Sequence, residues 1–599
     1  MRDPRKPGPQ SSGRSVAIRG GLCALTVGLA ACSGSIESPG SAGGANLPPG
    51  ATAGAPVTPP GAGGSTASGS GGASVVGNGG SVTNPSGGVS PGGAGAYRVP
   101  LEGKPIYSHF VRLTHRQWEN SVRDLLKLAA LPNVSQTFTS DPPDVTFSNN
   151  ERALFVTSNL RTDYERAAED LAKRTAADAA ARAAVVGSDN NAANFVKSFG
   201  RRAYRRPLDD AEQKRYEALF ASAATLFPSG DAFANGVELV VRAILQSPHF
   251  LYRTELGTNE APLSSWEIAS KLSFLLFDTT PSDALLDAAQ RGELASADGI
   301  AKLAQTMIDD AAALPVVTRY HDELFGMFRY ESIDKDRMRF PEYNTSMNAE
   351  FAEADKLFFQ SIYKDGQGLR QILLSQSGYV STATAPLYGV TASGSGLQQV
   401  ALGPERTGFF TRLGFLAFNA NLRDPDPIHR GVDISHRLLC GTLVPPPGTI
   451  PELPPQMPGQ TNRERVTAHT GVNTCGQGCH SVIINPLGFA FENFDSIGRK
   501  RDMDNGKPVD TADAYALSSG LVQFKDAPQL MAILAEAPET HACYARHLGE
   551  FTLARDLAEA DRSLVEELTT ASASTGSIKA MLLAAIRSPK FATRTGGVQ

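Results

Sequence analysis

From Ser33 to Ala96 the chain has almost nothing to bury. The stretch is built nearly throughout from Gly, Ser, Ala, Pro, Thr and Val. Such a segment cannot repay the entropy of ordering its backbone, so it reads as a flexible tether. Its 64 residues give an r.m.s. reach of about 40–48 Å by square-root scaling. Folding is thereby confined to the chain from Tyr97 onward. That remainder of a 599-residue protein is too long for a single core, and about three or four domains are expected.

What precedes the tether reads as an export signal. Arg2, Arg5, Lys6, Arg14 and Arg19 make a basic region, and an apolar run from Leu22 to Ala31 follows. The run is too short to span a bilayer. It closes with Leu29-Ala30-Ala31-Cys32, which resembles a bacterial lipoprotein box. By that resemblance Cys32 is the lipidated first residue of the mature chain, attached to a membrane without crossing it. Ser33 after it leans toward the outer membrane. The expected location is the cell envelope.

Beyond Tyr97 the pattern is helical, and the fold class expected is mainly α. Thr114 with Gln117, Asp209 with Glu212, and Ser264 with Glu267 have capping spacing ahead of apolar residues at helical intervals. Gly292 reads as a helix stop. No long alternating run argues for an extensive sheet. The aromatics between residues 256 and 395, among them Phe274, Phe277, Tyr320, Phe325, Phe328, Tyr330, Phe340, Phe358 and Phe359, read as core.

The chain also repeats itself. Phe195 to Leu219 aligns with Tyr544 to Leu568 at a constant offset, placing Gly200 on Gly549, Arg206 on Arg555, Leu208 on Leu557 and Glu212 on Asp561. Both copies end alike, in Ser247-Pro248-His249-Phe250 with Arg253 and in Ser588-Pro589-Lys590-Phe591 with Arg594. Two copies are too few for a solenoid. They read as related modules flanking a different middle.

The chemistry-bearing stretch is Thr474-Cys475-Gly476-Gln477-Gly478-Cys479-His480. Two cysteines with a histidine directly after the second is the pattern of covalent c-type haem attachment: the thiols add across the vinyl groups and the imidazole ligates iron. One residue more than usual separates the cysteines, and Gly476 and Gly478 can absorb it. The competing readings are a local Cys475–Cys479 disulfide, a zinc site with His480 and a fourth ligand, and unpaired thiols. On the haem reading, haem c is the cofactor and His480 the proximal ligand. His469 is a candidate second axial ligand beside Met457 and Met503, against the plainer reading of a helix-end histidine. Leu487, Phe489 and Phe491 either wall the porphyrin or are simple core. Cys23 leaves with the signal and Cys32 takes lipid, so Cys440 and Cys543 remain as candidates for a disulfide in an oxidising compartment.

The run Arg499-Lys500-Arg501 reads first as solvent-facing, with haem propionates or Glu492 and Asp495 as alternative partners. A net charge of -5 with interspersed signs gives no case for nucleic acid. No nucleophile elbow, zinc-protease helix motif or phosphate-binding glycine loop is present.

Several of these segments together resemble a known group. They are Arg112-Leu113-Thr114 through Asp124-Leu125-Leu126; Arg201 to Leu208; Leu272 to Leu276 with Pro281-Ser282-Asp283; Arg430-Gly431, His469, the cysteine motif and Asn485-Pro486-Leu487-Gly488 through Asp495 and Gly498; and Cys543 to Phe591. The chain is similar to the multi-domain bacterial envelope proteins of planctomycetes and myxobacteria built from domain-of-unknown-function families 1587, 1595, 1592, 1588 and 1585. In that group the cysteine motif commonly has haem spacing, and Asn485 stands where an Asp is frequent. The expected organisation is a signal over 1–31, a tether over 32–96, helical modules over 97–190 and 191–255 (first repeat copy), and a central helical domain over 256–395. The cysteine-motif module follows over 396–510 and the second repeat copy over 525–599. The functional expectation is a lipid-anchored electron-transfer or redox protein with an envelope redox partner, and a haem-dependent oxidoreductase activity is open. The alternative is a binding or scaffold protein with a structural Cys475–Cys479 disulfide.

Overall fold

Local signals open the helices. In the computed structural model, which describes residues 97–104, 109–143, 145–187, 190–256, 262–443, 452–474 and 476–594, Thr114 Oγ1 accepts from Gln117 N at 3.1 Å and Gln117 Oε1 accepts from Thr114 N at 3.2 Å. This reciprocal cap starts the helix His115–Leu125. Asp209 with Glu212, and Ser264 with Glu267, do the same for Asp210–Leu226 and Ser265–Leu276. The helix Asp283–Gln290 stops just before Gly292, which takes a left-handed φ of 77°. The fold is mainly helical, and among the described residues the strands form four separate two-stranded antiparallel ladders. The signal over 1–31, the tether over 32–96, Cys32 and Cys475 lie outside the described residues.

Two apolar cores organise these helices. One gathers Leu113, Trp118, Tyr164, Phe195 and Val241 with Phe274 from the next segment. The other runs from Val99 to Phe591 and joins the central region, the cysteine-motif region and the C-terminal helices. Most of the central aromatics are core, but Phe277 is only partly buried and Phe328 is 59 % exposed.

The two sequence repeats share a construction. Their first helices, Ala192–Tyr204 and Pro538–Leu553, each end on a left-handed residue, Arg205 and Ala554. The next arginine then makes a two-pronged ion pair, Arg206 to Glu212 at 2.8 and 2.8 Å and Arg555 to Asp561 at 2.8 and 2.9 Å. A Cβ on Gly200 or Gly549 would strike Leu208 or Leu557, so each glycine admits the leucine that follows its ion-paired arginine. The copies close with Pro248–Leu251 and Pro589–Ala592, and Phe250 and Phe591 are fully buried.

These endings meet in a buried charge cluster. Glu255 accepts from Lys271 Nζ at 3.2 Å and from Arg594 at 3.1 Å, and Arg594 also pairs with Glu151 at 2.5 Å. Burial opposes ionisation of Glu255, but Lys271, Arg594 and Arg253 outweigh it and hold its pKa at about 2. The first described residues pack on the second copy: Gly103 N donates to Leu557 O at 3.0 Å, and Arg562 donates to Val99 O at 2.7 Å.

A second tie between distant segments is neutral. His321 is fully buried and stacks on Phe359 at 4.2 Å. Its Nδ1 donates to Val317 O at 2.8 Å, and its Nε2 accepts from the Tyr544 hydroxyl at 2.9 Å. Burial pushes its pKa down to about 3, against a small upward pull from the Val317 carbonyl. The folded value lies below the unfolded one, so this contribution is fully present above about pH 6.5 and is lost as pH falls toward 3. Urea unfolding between pH 6.5 and 5 should therefore cost the wild type about 2 kcal/mol more than His321→Gln; parallel pH profiles would contradict the assignment.

Candidate functional site

The site rests on the helix Pro427–Leu439, capped by Asp426 accepting from His429 N at 3.1 Å. Two neighbours on that helix set its contacts. Gly431 lets the Ile484 carbonyl come so near that a Cβ would stand 2.1 Å from the oxygen. Gly488 returns the contact, with a virtual Cβ 1.8 Å from Pro427 O. The short helix Asn485–Phe489 thus crosses Pro427–Leu439 backbone on backbone.

Arg430, fully buried beside Gly431, fastens the surrounding chain. Its Nε donates to Asn419 O at 3.1 Å, one terminal nitrogen to Phe491 O at 2.9 Å and Phe494 O at 3.1 Å, and the other to Leu416 O at 3.1 Å and Asp495 O at 3.2 Å. All five guanidinium N–H groups find a carbonyl. Desolvation lowers its pKa to about 10, with Glu492 pulling the other way; it stays charged at neutral pH.

The second arm of the site is the helix Asn462–Thr470, opened by a capping box in which Thr461 Oγ1 accepts from Glu464 N at 3.1 Å. Asn462 anchors it. Its amide donates to both oxygens of buried Glu492 at 3.1 Å and to Pro425 O at 3.1 Å, and its backbone N donates to Asp504 at 2.5 Å. Arg501 completes the knot through Glu492 at 3.0 Å and Asp504 at 2.9 Å. Burial raises the Glu492 pKa, with Arg501 and Arg430 opposing.

Between the arms lies the cysteine motif. Cys475 is outside the described residues. From Gln477 to Ile484 the backbone winds as a π-helix, whose wider turn is a frequent companion of functional sites. Cys479 is exposed with a free thiol. His480 is half-buried, and its Nδ1 is enclosed without a hydrogen-bond partner. The neighbouring Asn485 donates to Thr470 Oγ1 at 3.0 Å and leaves its own Oδ1 unpartnered. The His480 pKa is lowered, chiefly by burial and further by the charge of His469, while Asn485 pulls upward. His469, in the last turn of its helix and half-buried, is thus within electrostatic reach of His480. A neutral imidazole is the form that binds metal.

Other sequence candidates land elsewhere. Leu487, Phe489 and Phe491 are buried in the protein's own core, Phe491 facing Phe415 and Phe489 lying under Arg463, so they do not line an open haem wall. Met457 and Met503 are 62 % and 54 % exposed. The charge run both faces solvent and pairs: Arg499 and Lys500 are exposed while binding Asp495 and Glu342, and Glu405, and only Arg501 is drawn inward, to Glu492 and Asp504, so the alternative partners Glu492 and Asp495 are both engaged. Cys440 and Cys543 are joined by a disulfide with Cα atoms 5.4 Å apart. Asn462, Asp504 and His547 were not singled out by the sequence. Only Asn462 had a local signal, the Thr461-x-x-Glu464 cap just before it.

A two-arm helical site of this kind, held by one buried arginine and a glycine crossing, defines a helical module with a cysteine-histidine motif on its surface. Five family models match the chain in succession, each described as a protein of unknown function: DUF1587 over 112–177, DUF1595 over 191–255, DUF1592 over 263–390, DUF1588 (PSCyt3) over 406–504 and DUF1585 over 522–591. The chain belongs to the group of proteins assembled from these five modules in this order. No curated protein and no solved structure matches it.

The crossing and the clamp make a joint prediction. Gly431→Ala must push apart two backbones and should destabilise by about 3 kcal/mol or more. Arg430→Lys has at most three donors for five carbonyls and should cost about 2–4 kcal/mol. Chemical unfolding measures both; losses under about 1 kcal/mol would be neutral-surface behaviour and would contradict the packing described.

Proposed function

We propose that this protein is an envelope electron-transfer protein carrying one c-type haem on Cys475 and Cys479, with His480 as proximal and His469 as second axial ligand. The observation that carries the reading is the free, exposed Cys479 thiol next to His480, an imidazole whose lowered pKa favours the neutral form and which lies within electrostatic reach of His469. The donor set fits the group. Asn485 Oδ1, buried and unpartnered near the His480 ring, is the natural acceptor for a proton on Nδ1, fixing the tautomer that leaves Nε2 for iron. The name PSCyt3 of the module matched over 406–504, which spans the motif, supports a cytochrome association.

When bound, the haem supplies a one-electron couple. The chain's part is to hold both imidazoles and to set solvent access. Val472 and Val482, which flank the motif, are 65 % and 37 % exposed, whereas Ile483 and Ile484 turn into the core, so the cofactor would sit toward the surface, where a partner can approach. Lipid attachment at Cys32, residence at the outer membrane and a redox partner in the envelope belong to the same proposal. The buried Cys440–Cys543 disulfide supports an oxidising compartment.

Exported from a host with haem-attachment machinery, the protein should give a c-type pyridine haemochrome spectrum. Cys475→Ala/Cys479→Ala should be colourless, and His469→Ala should keep covalent haem with an altered axial-ligand spectrum. A colourless wild type under those conditions would overturn the proposal.

A further inference from the structure

The disulfide has a third member. His547 Nε2 lies 3.6 Å from Cys440 Sγ, and the ligand atoms of Cys440, Cys543 and His547 all fall within 4.8 Å of one another. All three residues are buried. The other ring nitrogen, Nδ1, stands 3.5 Å from Glu550 Oε2, and Glu550 is itself paired with Arg546 at 2.9 Å. We infer that these side chains form a redox-gated metal site: a disulfide when oxidised, and a Cys2His site for Zn2+ when reduced.

The geometry favours this over a histidine that merely packs on a disulfide. Tetrahedral zinc with bonds of about 2.3 Å to sulfur and about 2.0 Å to nitrogen sets neighbouring S and N atoms roughly 3.5 Å apart. The Cys440–His547 separation of 3.6 Å already has that value. Once the S–S bond is broken, the sulfurs must retreat to van der Waals contact, roughly the S–S edge of the same tetrahedron. His547 Nδ1 makes no hydrogen bond in the disulfide state, and Glu550 Oε2 at 3.5 Å is a carboxylate of the kind that orients zinc-binding imidazoles.

Charge favours a divalent ion. Two thiolates and Zn2+ sum to zero, and Glu550 is balanced by Arg546, so no net charge is left buried. Cys440 ends the helix Pro427–Leu439, whereas Cys543 and His547 are one turn apart on Pro538–Leu553. Either state therefore staples the helix beneath the cysteine motif to the second repeat copy.

The exchange balances with a dithiol as reductant. The dithiol gives two electrons and two protons to the Cys440–Cys543 bond and leaves as its own disulfide. Zn2+ then displaces the two thiol protons to solvent. Neither step involves the residues of the proposed haem site.

The test uses the full chain with Cys23→Ala, Cys32→Ala, Cys475→Ala and Cys479→Ala together, so that no other thiol pair competes. After reduction by a phosphine, Co2+ added without oxygen should bind at one equivalent with thiolate-to-cobalt charge-transfer absorption, and Zn2+ should displace it. The oxidised protein should bind none. His547→Gln should weaken cobalt binding at least tenfold, and Cys440→Ser/Cys543→Ser should abolish it. Far-UV circular dichroism of the reduced protein covers loss of fold: if reduction unfolds the chain, Zn2+ present throughout should keep it helical. Absence of the charge-transfer band, a band indifferent to His547→Gln, or unfolding that Zn2+ does not prevent would each overturn the inference.

Discussion

A buried guanidinium normally costs more than it returns, because its desolvation must be matched donor by donor. Arg430 meets that demand with five backbone carbonyls drawn from two stretches, Leu416 to Asn419 and Phe491 to Asp495. Leu416 O belongs to the last turn of the helix Leu413–Phe418, and the other four carbonyls lie in the turns that follow the helices Leu413–Phe418 and Asn485–Phe489. Phe491 O and Asp495 O also accept from Phe494 N and Gly498 N at 3.1 Å, so removing the arginine would leave chiefly the Leu416, Asn419 and Phe494 carbonyls to be satisfied anew, and lysine cannot replace its planar fork. Because Gly431 follows directly, the residue that ties the loops together also fixes where the helices Pro427–Leu439 and Asn485–Phe489 cross. The cysteine motif leads straight into that crossing, so its position is set from below.

The same logic of distant closure recurs. The repeat copies carry matching arginine-carboxylate pairs and end in arginines that converge on Glu255. His321 and Tyr544 link the central region to the second copy without any charge. The Cys440–Cys543 bond does so covalently. The modules recognisable in the sequence therefore share their cores, and a change in one is felt across its neighbours.

How legible this was depends on the range of the interaction. Capping boxes at Thr114, Asp209 and Ser264 act over three residues, and the chain spells them out. The repeat was legible because the arginine, its partner acid and the admitting glycine keep fixed spacing in both copies. The clamp of Arg430 was not, since its acceptors are backbone atoms 11 to 65 positions away and leave no mark on side-chain identity. Arg499 and Lys500 are as solvated as the run suggests, but their partners Glu342 and Glu405 were illegible for a related reason, lying 157 and 95 positions away. Phe491 and Leu487 were ambiguous because an apolar residue near a cofactor motif and one in a core look alike until packing is known.

At the site, the sequence named Cys479, His480 and His469, and the fold adds the reason for their proximity: Asn462 and Glu492 hold one arm, Arg430 and the glycine crossing hold the other. The central claim is that this frame presents a haem-attachment motif. Mass analysis of the peptide spanning Cys475 and Cys479, cut from the exported protein without reduction, tests it most directly. The account predicts that peptide heavier by one haem; a peptide lighter by two hydrogens, with an internal disulfide, would contradict it.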